Sequence, residues 1–416
     1  MNLRERLKLN GLTGGASLLF AAQAFGLICA LGTTVLWTRF MPVDLFGEFR
    51  VVMGAVGFVS AFCLMGTSQA ALMSAARDAD GNLLPLVRAK VIANSLASIV
   101  LCCAALYHVW GPPKSVSLAL GLFTVAVLFP LYNVSDVWMS WINGKSRLVD
   151  LALSRSVASA IGVVAIALAV VLSAQQLWLV CLLFVGLTAV QSIWGLAHAL
   201  RLRANDRADT TIPAFGVHSS IAMAFTGLLS LDVVALNHLY SARDVAIYAV
   251  ALQFPEMLKR LFSALNAAVS PKIYAAPDFE SLWSQIRGAF LVITAGCIAI
   301  GVAGFLVLPP LTILLFSEHY AAAAEYGRWL WLVVACVGST TLLAPALLAT
   351  QKPFFVYAPY VGYPLVQAIL FAVMVSGGIG GLTLARIVGV VVLGLFYIVA
   401  FIYCMRARDI NLAGAR

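Results

Sequence analysis

Charge is what this chain most lacks. Only 10% of its 416 residues are Asp, Glu, Lys or Arg, while 62% are hydrophobic; a soluble domain carries about a quarter charged residues. With 26 bases and 17 acids there is too little polar surface to cover a water-exposed globule of this size, which argues against a soluble enzyme or a disordered chain. The eight cysteines (Cys29, Cys63, Cys102, Cys103, Cys181, Cys297, Cys336, Cys404) all fall in apolar stretches, and none forms a Cys-x-x-Cys. They read as small buried hydrophobes, not as a disulfide framework or a thiolate site. The five histidines (His108, His198, His218, His238, His319) are scattered, without the convergent spacing a metal needs. His-Glu-x-x-His, the phosphate loop and Gly-x-Ser-x-Gly are missing too. The chain is read as a non-enzyme without a cofactor.

What it does have is length in hydrophobic runs. About 20 apolar residues cross a bilayer as a helix, and twelve such windows lie near 16–38, 49–69, 90–110, 117–142, 151–173, 177–199, 216–238, 246–270, 287–309, 328–349, 357–376 and 382–405. Runs such as Ile161-Gly162-Val163-Val164-Ala165-Ile166-Ala167-Leu168 are apolar all round, unlike the alternating strands of a barrel. The fold class expected is an all-α polytopic bundle of about twelve transmembrane helices. Arg4, Arg6 and Lys8 before an apolar stretch imitate a secretory signal, but the stretch is too long and more spans follow, so it reads as an uncleaved first helix.

The basic residues set the orientation. One side collects Arg4, Arg6, Lys8, Arg77, Arg88, Lys90, Lys145, Arg147, Arg155, Arg201, Arg203, Arg207, Lys272, Arg287, Lys352, Arg406, Arg408 and Arg416; the other holds Arg39, Arg50, Lys114, Arg243 and Arg328. Eighteen against five places both termini in the cytoplasm. The net charge of +9 is spread along alternating loops beside anionic lipid, with no basic stripe or aromatic-interleaved platform for nucleic acid.

The gap 201–215, with Arg203, Asp206, Arg207, Asp209 and Pro213, divides the spans six and six. The halves are taken as 1–205 and 206–416. A faint echo relates them: Gly47-Glu48-Phe49 opens span two after a short loop containing Asp44, and Ala246-Ile247-Tyr248 opens span eight after one containing Asp244. Two repeated bundles rocking around a central site is a common transporter design.

Charges inside spans are the informative remainder, because each costs at least ~2.5–3.5 kcal/mol at mid-membrane on insertion scales. The acids are Asp136, Asp232 and Glu256; the bases are Arg50, Arg155, Lys259, Arg260 and Arg386. Arg50 and Arg155 sit near helix ends, where snorkelling is an alternative. Glu256 precedes Lys259 by three and Arg260 by four residues, which permits a self-neutralising pair. Asp232 has no such partner within four residues and is the leading ion-coupling acid, with Glu256 and Asp136 behind it. Arg386, alone in an apolar helix, is the leading contact for an anionic cargo, with Arg50, Arg155, Lys259, Arg260 and Gln253 as further cavity residues. Polar residues such as Gln69, Asn94, Gln191 and Gln367, with aromatics such as Trp138, Trp141 and Tyr248, suit either interhelical glue or a sugar-lined passage.

Several loops carry a family likeness. Arg39-Phe40-Met41-Pro42-Val43-Asp44-Leu45-Phe46-Gly47-Glu48-Phe49, Asp232 with Val245-Ala246-Ile247-Tyr248, Ser270-Pro271-Lys272-Ile273-Tyr274, Leu315-Phe316-Ser317-Glu318-His319-Tyr320, and Gly377-Gly378-Ile379-Gly380-Gly381 resemble the multidrug/oligosaccharidyl-lipid/polysaccharide exporter (MOP) superfamily and, within it, the Wzx-type polysaccharide flippases. Ala246 and Ser317 stand where the pattern has Gly. The likeness spans the chain through short, permissive motifs, most of them turns and helix starts and not binding residues.

The resemblance implies two six-helix lobes around a central cavity and alternating access. It implies an undecaprenyl-pyrophosphate-linked glycan as cargo, H+ or Na+ as coupling ion, and a polysaccharide polymerase as a possible partner. A sugar head cannot cross hydrocarbon unaided, since each polar group would lose its hydrogen bonds to water; a polar, cationic cavity replaces that water, and Arg or Lys suits a pyrophosphate. The alternatives are a drug/cation antiporter of the same superfamily, whose cavity would be acidic, a peptidoglycan-lipid flippase, which usually has fourteen helices, and a membrane-embedded glycan-processing enzyme.

Overall fold

The computed structural model describes residues 12–111, 114–172, 175–274, 279–349 and 353–406. Arg4, Arg6, Lys8, Lys352, Arg408 and Arg416, counted above toward orientation, lie outside them. Among the described residues there are twelve helical runs and no strand. The first six are α1 (Leu12–Phe40), α2 (Val43–Ala61 and Thr67–Ala76), α3 (Leu83–Trp110), α4 (Val116–Tyr132 and Ser135–Gly144), α5 (Leu148–Val171) and α6 (Leu177–Arg201). Next come α7 (Thr211–Ala224, a 3-10 turn Phe225–Ser230, Leu231–Leu239), α8 (Ala242–Tyr274) and α9 (Phe279–Phe316). The last are α10 (Ala321–Gly338, 3-10 Ser339–Leu343, Ala344–Ala349), α11 (Pro353–Tyr357, a π turn Ala358–Gly362, Tyr363–Met374) and α12 (Gly378–Arg406). Each expected window corresponds to one run. Among the described residues, nine stretches are long and apolar enough to cross a membrane, one of them, Ala358–Arg406, holding most of α11 and all of α12. The protein is a multi-pass α-helical membrane protein.

Five runs are interrupted, and their freed backbone groups find partners. Pro130 has no N–H and crowds the preceding turn; α4 stops at Tyr132 and restarts at Ser135. The Asn94 amide on α3 donates to the Pro130 carbonyl (3.2 Å), and the Ser192 hydroxyl on α6 donates to that of Tyr132 (3.3 Å). At the break in α2 the Gly66 N–H donates to Ser220 Oγ on α7 (2.9 Å). Lipid offers no substitute for such bonds, so irregular backbone persists only where protein or a cavity covers it.

The chain packs as two compact units, Met1–Val234 and Ala235–Arg416. The boundary falls inside α7, not at the polar gap near 205, because most of α7 is bound to α2. Gly227 sits so close to α2 that a Cβ there would lie 2.8 Å from both the Phe58 carbonyl oxygen and Ala61 Cβ. The gap itself is latched to the turn between α2 and α3. Asp80, fully buried, accepts from the Ala204 N–H (2.9 Å) and pairs with Lys145 (2.8 Å), while Asn82 donates to the Asp209 carbonyl (2.9 Å). Lys145 also reaches Asp78 (2.8 Å). Burial opposes its ammonium, but the two carboxylates outweigh that and hold its pKa above the usual lysine value. The same contact holds the Asp78 carboxyl below the usual carboxylate range.

In the first unit the core centres on Trp138 and Trp141, both fully buried; they do not line the sugar passage the sequence permitted. The motif aromatics Phe46 and Phe49 pack on Trp37 (ring centroids 5.4 and 4.8 Å). In the second unit Trp283 stacks against Phe290 and Phe401 at one end, and Phe262 packs among Leu258, Cys297 and Val334. Among the described residues the cysteines form no disulfide; most are buried, but Cys103 is exposed.

Two outcomes follow from this architecture. A membrane-impermeant thiol reagent added to intact cells is expected to label a cysteine placed at Ser376, in the α11–α12 turn, but not one at Asp206; the opposite pattern would reverse the orientation. Ser317 adopts φ 81° and ψ 165°, a region that is essentially glycine's, and its buried hydroxyl has no hydrogen-bond partner among the described residues. Ser317→Gly is therefore expected to stabilise the protein by about 1 kcal/mol, read as a higher thermal midpoint in detergent.

Candidate functional site

α8 is one of two runs, with α2, that fall outside the nine strongly apolar stretches. Its polarity has a location. Tyr248, Gln253, Glu256, Lys259 and Arg260 follow one another at intervals that bring several of them to one side of the helix, and α12 brings Arg386 to them. The Glu256 carboxylate accepts from the Lys259 ammonium (2.8 Å) and pairs through the same oxygen with an Arg386 Nη (3.4 Å). Arg386 Nε donates to the Tyr248 hydroxyl (2.8 Å), and its guanidinium lies 5.7 Å from the centre of the Phe371 ring on α11. Arg260 is exposed and within electrostatic reach of Glu256; Gln253 is half-buried one turn before it.

Arg386 is held in place from behind. The Gln367 amide on α11 donates to the Ala385 carbonyl (3.1 Å). Its Oε1 lies 1.7 Å from where a Cβ on Gly389 would be, so only glycine at 389 lets α11 and α12 close on each other here. That oxygen is buried without a partner among the described residues. The result is a cluster with three bases and one carboxylate. Arg386 is 17% exposed, Lys259 37% and Glu256 42%, so the charges are reachable and not sealed in a core. A planar guanidinium beside a mobile ammonium is suited to the oxygens of a phosphate or diphosphate.

The remaining expected residues belong to the first unit and stand apart from one another. Asp136 pairs with Lys90 (3.1 Å). Lys90 had counted as a loop base marking the cytoplasmic side, but it lies seven residues inside α3 and its side chain is fully buried. The window at 90–110 began too late, because Leu83 to Arg88 already belongs to the helix. Asp232 is fully buried and accepts from the Val233 N–H (2.8 Å). Asp232 and Asp136 share one reason for being where they are: each is the second residue of a helix that restarts after a break, where the helix dipole favours an acid. Asp232 thus has a local partner after all, in the backbone. Arg50 is half-buried on α2 and Arg155 is exposed on α5. Glu48, beside Arg50, accepts from the Ser117 hydroxyl at the start of α4 (2.5 Å). No group of three His, Cys, Asp or Glu side chains suited to a metal occurs among the described residues.

The Lys90–Asp136 pair has a measurable signature. Removing one partner of a buried pair leaves the other charge stranded, whereas removing both is often neutral. Asp136→Leu is expected to destabilise the protein by about 3 kcal/mol and Lys90→Met/Asp136→Leu to recover most of that; equal losses in the single and double variants would mean that the pair is not coupled.

Comparison with known proteins agrees with the architecture. The family described as polysaccharide biosynthesis protein matches residues 12–274. No curated relative matches the chain. Among solved structures, an outward-facing multidrug resistance MATE family transporter of the MOP superfamily superposes with TM-score 0.67 at 13% identity, covering 98% of both chains. An inward-facing one gives TM-score 0.61 at 14% identity, covering 95% of this chain and 98% of that one. A MOP superfamily transporter from Pyrococcus furiosus, described as having a binding pocket of reverse polarity that suggests a different function, gives TM-score 0.67 at 15% identity, covering 96% and 97%. With a family match over more than half its length, the chain belongs to the polysaccharide biosynthesis protein family, and it has the fold of MOP superfamily transporters from end to end.

Proposed function

We propose that the protein flips a lipid-linked oligosaccharide, an undecaprenyl-pyrophosphate glycan, across the bacterial inner membrane for surface polysaccharide synthesis. The observation that carries this reading is the excess of base over acid where Arg386, Lys259 and Arg260 surround Glu256. A transporter for cationic drugs needs the opposite balance. A reverse-polarity pocket has been described for a protein of the same fold, which fits a change of cargo sign on a shared scaffold. The cluster supplies charge-assisted hydrogen bonds to the pyrophosphate, the sugars exchange water for polar side chains, and the prenyl tail stays in lipid.

No bond of the cargo is broken in this scheme, so energy enters as an ion gradient. H+ or Na+ acting on one of Asp136, Asp232 and Glu256 is the coupling step proposed, by alternating access with both termini in the cytoplasm. A polysaccharide polymerase that consumes the flipped unit is the partner this role calls for.

The test is complementation of a strain that lacks its own flippase. Arg386→Ala and Lys259→Ala are expected to lower surface glycan at least about tenfold, since each removes a charge-assisted contact of about 1.5–3 kcal/mol, with the protein still present in the membrane fraction. Full glycan in both variants would remove the cluster from the transport path. Expulsion of cationic dyes by cells expressing the wild-type chain, without glycan rescue, would favour the antiporter.

A further inference from the structure

One carboxylate oxygen occupies the place a cargo phosphate needs. Glu256 Oε1 meets both Lys259 (2.8 Å) and Arg386 (3.4 Å), while Arg386 Nε is committed to the Tyr248 hydroxyl (2.8 Å). With 42% of its side chain exposed, Glu256 is not sealed in a core, and its ion pairs with Lys259 and Arg386 fix its carboxylate. A phosphate oxygen reaching for the same guanidinium and ammonium would be forced close to an oxygen of like charge, and the two compete.

We propose that Glu256 is an internal competitor for the phosphate of the cargo: it neutralises Lys259 and Arg386 while the site is empty and must release them for the phosphate to bind. This deepens, and rests on, the reading of the cluster as the cargo site. Its consequence is a moderated affinity. Uncovered, the three bases would hold a pyrophosphate tightly, and a transporter that binds too tightly does not release. A tethered carboxylate is always present to reclaim the bases when cargo departs.

The surroundings single out this residue. Arg260 is its other charged neighbour on α8, and Arg386, which also meets Tyr248, is the ionisable group on α12 that reaches it. α10, packed along α8, carries Glu325, Tyr326, Arg328 and Cys336, and there Glu325 and Arg328 pair with each other (2.6 Å). Among the described residues, Glu256 is thus the carboxylate whose partners are also those offered to cargo.

The experiment is equilibrium binding of farnesyl pyrophosphate, a short prenyl pyrophosphate, to the purified full-length protein in lipid nanodiscs. Glu256→Gln keeps the shape and removes the charge. It is expected to bind at least about five-fold more tightly than wild type at pH 7.5, the lower end of usual coupling between sites. As pH falls and Glu256 protonates, wild-type affinity should rise toward that of Glu256→Gln; comparing the two proteins at each pH cancels the ionisation of the probe itself. Glu256→Asp should stay on the wild-type side. Equal or weaker binding by Glu256→Gln, with binding still lost in Arg386→Ala, would overturn the competitor role and leave the cargo site standing. Undiminished binding in Arg386→Ala and Lys259→Ala, or no binding by any of the proteins, would remove the cargo site and the competitor with it.

Discussion

Lipid offers a backbone no hydrogen-bond partner, and much of this structure follows from that constraint. Among the described residues, twelve helical runs satisfy it. Where the helices break, side chains take over: Asn94 and Ser192 serve the carbonyls freed around Pro130, and Ser220 serves the N–H of Gly66. Asn94, which the sequence offered to a passage, is therefore a fastener. The breaks also create helix starts within the spans, and the two intramembrane acids of the first unit, Asp136 and Asp232, stand at such starts.

Charge inside the second unit is organised differently. Besides the Glu325–Arg328 pair on α10, a cluster on α8 and α12 has bases in excess around one shared carboxylate. Such an arrangement is poorly suited to pure structure, since a pair of equal charges would neutralise itself at less desolvation cost. The excess of base is what the proposed anion site rests on. Behind it, Gln367 and Gly389 let α11 and α12 close on each other.

The echo between the halves of the sequence has a structural meaning. Two-residue connections join α1 to α2 and α7 to α8, and each following helix carries an aromatic at the equivalent position. In the first half Phe49 is consumed by packing against Trp37 and Phe184. In the second half Tyr248 is also fully buried, but its hydroxyl reaches Arg386. One added oxygen turns a packing position into a site residue, so a motif read as a helix start proves to be part of the cluster as well.

Membrane class, helix number and the approximate place of every run were legible in the sequence, because hydrocarbon demands about 20 apolar residues per crossing and the chain states this twelve times. The Glu256–Lys259 pair was legible too, since helix geometry alone brings residues three apart together. The partners of Arg386 were not, because Tyr248 is 138 residues away in the chain and no local spacing encodes that contact. Nor was Lys90, whose charge looked like a loop marker until the true start of α3 placed it inside the helix opposite Asp136. By itself the sequence determined which solvent the protein folds in, through a composition that water cannot support; only the tertiary structure decided which of the few charges meet, because that depends on how separate helices pack.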